Sequence, residues 1–271
     1  MAVHDAVGLS AGRYVMTNAA PTAGTMLDAL AEVLDPVSMA VLEATGSLTA
    51  GARCLDLGAG LGSMAGLMAE QVAPGGEVYA VDLDTRHVEP HPGVIPWQAD
   101  VTVAGSLPDD LFRVVHERLL LVHLPQRERI LRVLVDRLEP AGLLVSSSWG
   151  RLGSPVMLTC PDPAGPDLYA RYNGALVDVF AAAGNDPTWQ TRVHAVMRDV
   201  GLVDVRTTVS AESYAGGTGA CRLAVAVTLE LRDKLIAAGM TGTELAHLRA
   251  ILEDPGTTVL AGQLFTTTGW K

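Results

Sequence analysis

Apolar residues recur with a helical period near the start of the chain. In "TMLDALAEVLDPVSMAVLEA", Thr25 to Ala44, a helix places Met26, Leu27, Leu30, Val33 and Leu34 on one face. Pro36 has no N–H and clashes with the turn before it, so two short helices are expected here. After the loop "GSLTAGA" the period changes. "RCLDLGAG" (53–60) is a short apolar run and predicts a buried strand, and "SMAGLMAEQVA" (63–73) predicts a helix stopped by "PGG" at 74–76. "EVYAVDLD" (77–84), "VIPWQAD" (94–100) and "LFRVVHE" (111–117) predict three further strands. "LPQRERILRVLVDRLEPAG" (124–142) is an amphipathic helix with Ile130, Leu131, Leu134, Val135 and Leu138 inward, and "LLVSSSW" (143–149) is a fifth strand. Strands alternating with helices predict an α/β fold with a doubly wound, mostly parallel sheet.

Beyond Trp149 the alternation stops. A Pro- and Gly-rich stretch precedes "DLYARYNGALVDVFAAAG" (167–184), which reads as a helix with Tyr169, Tyr172, Leu176 and Phe180 roughly in line. Three more helices are expected in 188–202, 223–239 and 241–254, and a strand in 203–213. "GQLFTTTGWK" (262–271) reads as an edge strand. One domain, residues 1–271, is expected. An N-terminal helical cap (1–50) and a core (51–150) lead into a helical insertion after strand five (151–200), which acts as a lid. C-terminal strands and helices (201–271) follow.

Bulk properties narrow the function. The 271 residues carry a formal charge of −11, which argues against a nucleic-acid partner, because phosphate backbones require clustered Lys and Arg. No run is long and apolar enough for a membrane span, and the N-terminus lacks the pattern of a secretory signal. Cys54, Cys160 and Cys221 are odd in number and widely spaced, which suggests neither a disulfide framework nor a metal site and fits a cytoplasmic protein. "RHVEPH" (86–91) has two His and a Glu on a Pro-rich loop, and no metal is expected there.

The chemistry concentrates in "RCLDLGAGLGSMA". Gly58, Gly60 and Gly62 lie between a strand and a helix, where glycine permits positive φ and close approach of a ligand. A dinucleotide fingerprint reads G-x-G-x-x-G, but here Ser63 takes the last position. Asp56 sits on the strand before the turn. An acid there suits an ammonium group and repels a pyrophosphate. Asp82, ending the second strand, can accept from both hydroxyls of a ribose. Asp100, ending the third, can accept from an adenine amine. Ammonium, ribose and adenine without a diphosphate describe S-adenosylmethionine, and a nicotinamide-dependent dehydrogenase ranks last.

In order and spacing, "LDLGAGLGS", "VYAVDLD", "WQADV" and "VVHERLLLVHLPQRERILRVLVDRLEPAGLLV" resemble the motifs of class I S-adenosylmethionine-dependent methyltransferases. The resemblance is nearest to small-molecule enzymes of actinobacterial natural-product pathways. It implies a Rossmann-like, seven-stranded sheet whose last strand is antiparallel. It implies methyl transfer to a small-molecule acceptor, a secondary-metabolite intermediate, by in-line displacement, with S-adenosylhomocysteine as product. It implies cofactor contacts from Tyr14, Asp56, Gly58, Ala59, Gly60, Ser63, Asp82, Leu83, Asp100, Val101 and His116. One departure is Arg113, where the family often carries Asp.

His116 and His123 are the candidate catalytic bases; packing is the competing role for both. Arg118 is a candidate for the cofactor side, for an anionic substrate, or for pairing with a carboxylate. Trp149, Tyr169, Tyr172 and Phe180 are candidates for the acceptor pocket, against a plain core role. Two other functions share these motifs: a cofactor-binding enzyme that catalyses a non-methylating reaction such as cyclisation, and a non-catalytic accessory protein. The apolar N-terminal helices leave a homodimer open.

Overall fold

The computed structural model of the chain describes residues 23–150 and 155–271. The first half runs α1 (Ala23–Thr45), β1 (Arg53–Leu57), α2 (Ser63–Val72), β2 (Glu77–Asp82), β3 (Val94–Gln98), β4 (Phe112–Arg118), α3 (Arg127–Asp136) and β5 (Leu138–Gly150). The second half runs β6 (Val156–Thr159), α4 (Gly165–Ala182), α5 (Trp189–Asp199), β7 (Val203–Ser210), β8 (Ser213–Ala215), α6 (Gly219–Glu230), α7 (Arg232–Ala237), α8 (Gly242–Glu253), β9 (Thr258–Leu260) and β10 (Gln263–Trp270).

Seven strands form one sheet in the order β3-β2-β1-β4-β5-β10-β7. The first five are parallel, and β10 is antiparallel to both β5 and β7. The central strands are buried on both faces, which is why β1 and β4 read as continuous apolar runs rather than alternating ones. One face carries α1 and α2 over Cys54, Val114 and Val145. The other carries α3 and α5 over Leu55, Val115 and Leu144. A third cluster, remote from this sandwich, joins α1, α4, α6, α7 and α8. Against it lies a second sheet, β6-β9-β8.

Four expectations change. Pro36 does not split the first helix: α1 is continuous. Met26, Val33, Leu34, Met39 and Leu42 on its inward face are all buried. At about 1.5–3 kcal/mol each, their burial outweighs the roughly 3 kcal/mol cost of an interior proline. The strand 262–271 is not an edge. It lies between β5 and β7, where Thr266 pairs with Ser147 at 3.0 Å and Thr267 with Thr207 at 2.9 Å, hydroxyl to hydroxyl across strands. The helix expected over 223–239 is two, α6 and α7.

The lid also differs from expectation. Helix α5 packs on the main sheet through Trp189, Val193 and Met197. The cap over the C-terminal strand edge comes instead from two separate insertions, one after β5 and one between β7 and β10. Among the described residues, no helix is long and apolar enough to cross a membrane.

Candidate active site

The glycine turn leaves β1 with Gly58, Gly60 and Gly62 at φ of 72°, 57° and 80°. Gly62 is the N-cap of α2 in the left-handed region, where glycine has no Cβ penalty. Space is also short there: a Cβ on Gly62 would come within 2.9 Å of Val88 Cγ1. Ser63 follows as the first residue of α2, and Ala59 is half-buried.

Acidic side chains surround the turn. Asp56 faces the α1–α2 layer and is 3% exposed. Its register partner on β4 is His116, and His116 Nδ1 lies 2.7 Å from Asp56 Oδ1. Asp56 Oδ2 and His116 Nε2 are buried and have no hydrogen-bond partner. A buried carboxylate oxygen without a donor is costly, and an ammonium group would satisfy it.

Asp82 Oδ2 accepts from Gly60 N–H at 3.0 Å and Oδ1 from Asp84 N–H at 3.1 Å. The carboxylate therefore fixes the glycine turn and keeps lone pairs free for two hydroxyls. Burial pushes its carboxyl above the ordinary value, against the pull of the N–H groups of Gly60, Asp84 and Leu83. Leu83 is 51% exposed, an apolar surface next to Asp82. Asp100 lies two residues beyond the end of β3. Its Oδ1 is taken by the backbone N–H and hydroxyl of Thr102 at 2.8 and 2.6 Å. Val101 beside it is half-buried. Acceptors for an ammonium, a ribose and an amine, with an apolar shelf between them, fit S-adenosylmethionine.

At the end of β4, Arg118 takes one of the roles open to it in the sequence, pairing with a carboxylate. Its guanidinium donates to Asp35 Oδ1 at 2.6 Å and Ser38 Oγ at 3.0 Å and so clamps α1 to the sheet. Glu117, on the opposite face, accepts from the Ser146 hydroxyl and from the N–H groups of Leu120 and Leu121. Burial pushes its carboxyl up, against those hydrogen bonds. Leu119 turns the chain at φ 58°, a conformation that L side chains rarely adopt. Arg113 donates to the Ala141 carbonyl at 2.6 Å and lies over the Trp270 ring, a surface contact away from the turn.

A cavity of about 270 Å³ opens beyond β4 and β5. Trp149, Tyr169, Tyr172 and Phe180 all line it, together with His123. The Tyr169 and Tyr172 rings stack at 6.2 Å, and burial raises both hydroxyls, Tyr169 to about 12. His123 lies 5.8 Å from the Phe180 ring and hydrogen-bonds with Asn185. Burial, aided by the nearby Arg127 cation, lowers its pKa to about 4, so it is neutral at neutral pH. His116 does not line this cavity. Ser148, Asn185 and Gln190 do, although none was a sequence candidate. Ser148 was within reach of the rule that ligands gather at strand carboxyl ends; Asn185 and Gln190 carried no periodic or motif signal. Tyr14 lies outside the described residues.

The turn and the cavity meet neighbouring residues of the same two segments. A Cβ on Gly58 would stand 3.4 Å from Leu120 Cβ, next to cavity-lining Leu119. A Cβ on Gly60 would stand 3.5 Å from Leu27 Cδ2, between cavity-lining Met26 and Leu30.

This architecture recurs in solved structures. A SAM-dependent methyltransferase from Archaeoglobus fulgidus superposes with a TM-score of 0.51 at 16% identity, over 87% of this chain and 93% of that one. Phosphoethanolamine N-methyltransferase 2 from Haemonchus contortus, in complex with S-adenosyl-L-methionine, gives 0.52 at 15% identity, over 86% of this chain and 51% of that one. In sequence, Methyltransferase str2 of Strobilurus tenacellus is 32% identical over 95 residues, which span 34% of each chain. Residues 29–184 match the methyltransferase domain family. The chain therefore belongs to the methyltransferase domain family, and its fold is that of S-adenosylmethionine-dependent methyltransferases.

Proposed function

We propose that the protein transfers a methyl group from S-adenosylmethionine to a small-molecule acceptor, an intermediate of secondary metabolism, held in the cavity beyond β4 and β5. Adjacency carries this reading: Leu120 and Leu27, which approach the acidic glycine turn, are chain neighbours of Leu119 and Met26, which line the cavity. Donor and acceptor compartments thus meet at the carboxyl edge of the sheet, where open α/β sheets bind ligands.

The bound cofactor supplies a methyl group already activated on a sulfonium. Asp56 takes the ammonium of its amino-acid tail through Oδ2, and His116 holds Asp56 from behind. Asp82 takes the ribose hydroxyls, Leu83 and Val101 pack on adenine, and Asp100 accepts from its amine. Trp149, Tyr169, Tyr172 and Phe180 hold the acceptor and exclude water, so alignment supplies much of the rate.

The test is direct. Purified protein, S-adenosylmethionine and a panel of neutral acceptors should yield S-adenosylhomocysteine and a product one methyl group heavier. A product formed without added methyl mass would replace this reading with a non-methylating reaction, and failure to bind the cofactor would end it.

A further inference from the structure

Among the described residues, none that lines the cavity beyond β4 and β5 is Asp, Glu, Lys or Arg. Asp186, in sequence between cavity-lining Asn185 and Pro187, is paired with Arg127 at 3.1 Å and Arg192 at 2.7 Å. His123 contributes a neutral imidazole rather than a cation at neutral pH. Most of the remaining wall is aliphatic or aromatic, from Met26 and Leu30 on α1 to Leu223 and Val227 on α6.

One end is polar and unsatisfied. Ser148 and Gln190 both line the cavity and are 4% and 5% exposed, and neither Ser148 Oγ nor Gln190 Oε1 has a hydrogen-bond partner. They sit close together: Ser148 and Gly150 share a face of β5, and a Cβ on Gly150 would come within 2.7 Å of Gln190 Cγ. The Gln190 amide is oriented by its own NH₂, which donates to the Pro187 carbonyl at 2.6 Å and leaves the oxygen pointing elsewhere. Two buried oxygens without donors are costly unless a ligand brings the proton.

Resting on the acceptor-site reading above, we propose that the cavity selects an uncharged, mainly apolar molecule with a hydroxyl group, which it holds by that hydroxyl at Ser148 and Gln190. The hydroxyl donates to Gln190 Oε1 or Ser148 Oγ, and the apolar body lies against Tyr169, Tyr172 and Trp149. Carboxylates, phosphates and ammonium compounds are rejected, because their charge finds no counter-ion among the described lining residues. The volume of about 270 Å³ lies just below the roughly 300–1,000 Å³ usual for ligand pockets, so the molecule is compact.

Calorimetry on the full chain saturated with S-adenosylhomocysteine tests this with three compounds of one shape: 4-propylphenol, 4-propylbenzoate and 4-propyltoluene. The phenol should bind at least ten-fold more tightly than the other two. Gln190→Leu and Ser148→Ala should each lower phenol affinity toward that of the toluene while leaving S-adenosylhomocysteine binding unchanged. If Gln190→Leu does not fold, Ser148→Ala decides. Equal or tighter binding of the benzoate overturns the exclusion of charge. Equal binding of the toluene overturns the hydroxyl anchor. Failure of all three to bind while S-adenosylhomocysteine binds overturns this inference alone; failure of S-adenosylhomocysteine as well removes the functional reading beneath it.

Discussion

His116 and Asp56 form a buried pair across neighbouring parallel strands, 2.7 Å apart, with side chains 1% and 4% exposed. The pair lies inside the sheet layer rather than at the rim. It therefore positions one oxygen of Asp56 and leaves the other, Oδ2, for a cofactor ammonium. Replacing His116 by Phe keeps the volume but strands the carboxylate. Leaving a buried acceptor without its hydrogen-bond partner costs about 1–3 kcal/mol. His116→Phe should lose stability of that order in urea and weaken S-adenosylhomocysteine binding. His116→Asn, which restores a donor, should recover part of both. Full stability and affinity in His116→Phe would show that the pair does not position Asp56.

Asp82 does two jobs with one carboxylate. It ties Gly60 and Asp84 by their N–H groups, and it faces the expected ribose. Asp82→Ala should weaken S-adenosylhomocysteine binding by ten-fold or more, since each hydrogen bond to a charged group contributes about 1.5–3 kcal/mol. Because burial raises this carboxyl, affinity in the wild type should begin to fall at a pH above the usual carboxylate range as Asp82 takes up a proton. Calorimetry between pH 4 and 8 reads both effects. Unchanged affinity in Asp82→Ala would refute the ribose contact.

The donor half of the site was legible in the sequence because it is local. Asp56, the glycines, Asp82 and Asp100 each sit at or near the end of a strand, and strand ends converge on one edge of a doubly wound sheet. The polar end of the cavity was not legible, because Gln190 and Asn185 come from outside those motifs and reach the site only through tertiary packing. Residue type allowed Arg118 a carboxylate partner but could not name it, because Asp35 is 83 residues away in sequence. The short strands β6, β8 and β9 carry too few residues for a period of two to show.

Gly62 combines a left-handed backbone with a neighbour that blocks any side chain. At φ 80°, alanine carries backbone strain, and its Cβ would need Val88 to move from 2.9 Å. Gly62→Ala should cost about 1–3 kcal/mol in stability and displace the turn held by Asp82. Cofactor affinity should therefore fall even though no cofactor-facing side chain has changed. Gly51, also at positive φ but with nothing within 4 Å, is the control. Gly51→Ala should cost stability without altering affinity, and equal affinity losses in the two variants would remove the argument from Val88.

Arg118 and Asp35 join the cap to the sheet at 2.6 Å, with side chains 14% and 11% exposed. The pair lies between the exposed limit of about 0–1 kcal/mol and the buried limit of about 3–5 kcal/mol. Arg118→Ala should cost on the order of 1–3 kcal/mol. The loss should appear first as faster hydrogen exchange in α1, because the clamp fixes that helix. Since Met26 and Leu30 of α1 line the cavity, acceptor affinity should fall more than cofactor affinity. Protection in α1 equal to the wild type would show that its apolar face alone fixes the helix.

His123 makes the protein sensitive to mild acid. Its pKa falls from 6.5 to about 4 on folding, by burial first and by Arg127 second. Between those values the unfolded chain binds the proton and the folded chain does not. Stability therefore rises with pH across that window, is full above about 6.5, and is lost as pH falls toward 4. The loss from this one group is on the order of 2–3 kcal/mol. His123→Gln keeps a polar side chain and cannot titrate. Urea unfolding at pH 7.5 and pH 5 should show the wild type losing more stability than the variant, and the carboxylates common to both cancel in the comparison. Identical losses would mean that His123 is protonated without penalty, and the neutral imidazole in the cavity wall would have to be abandoned.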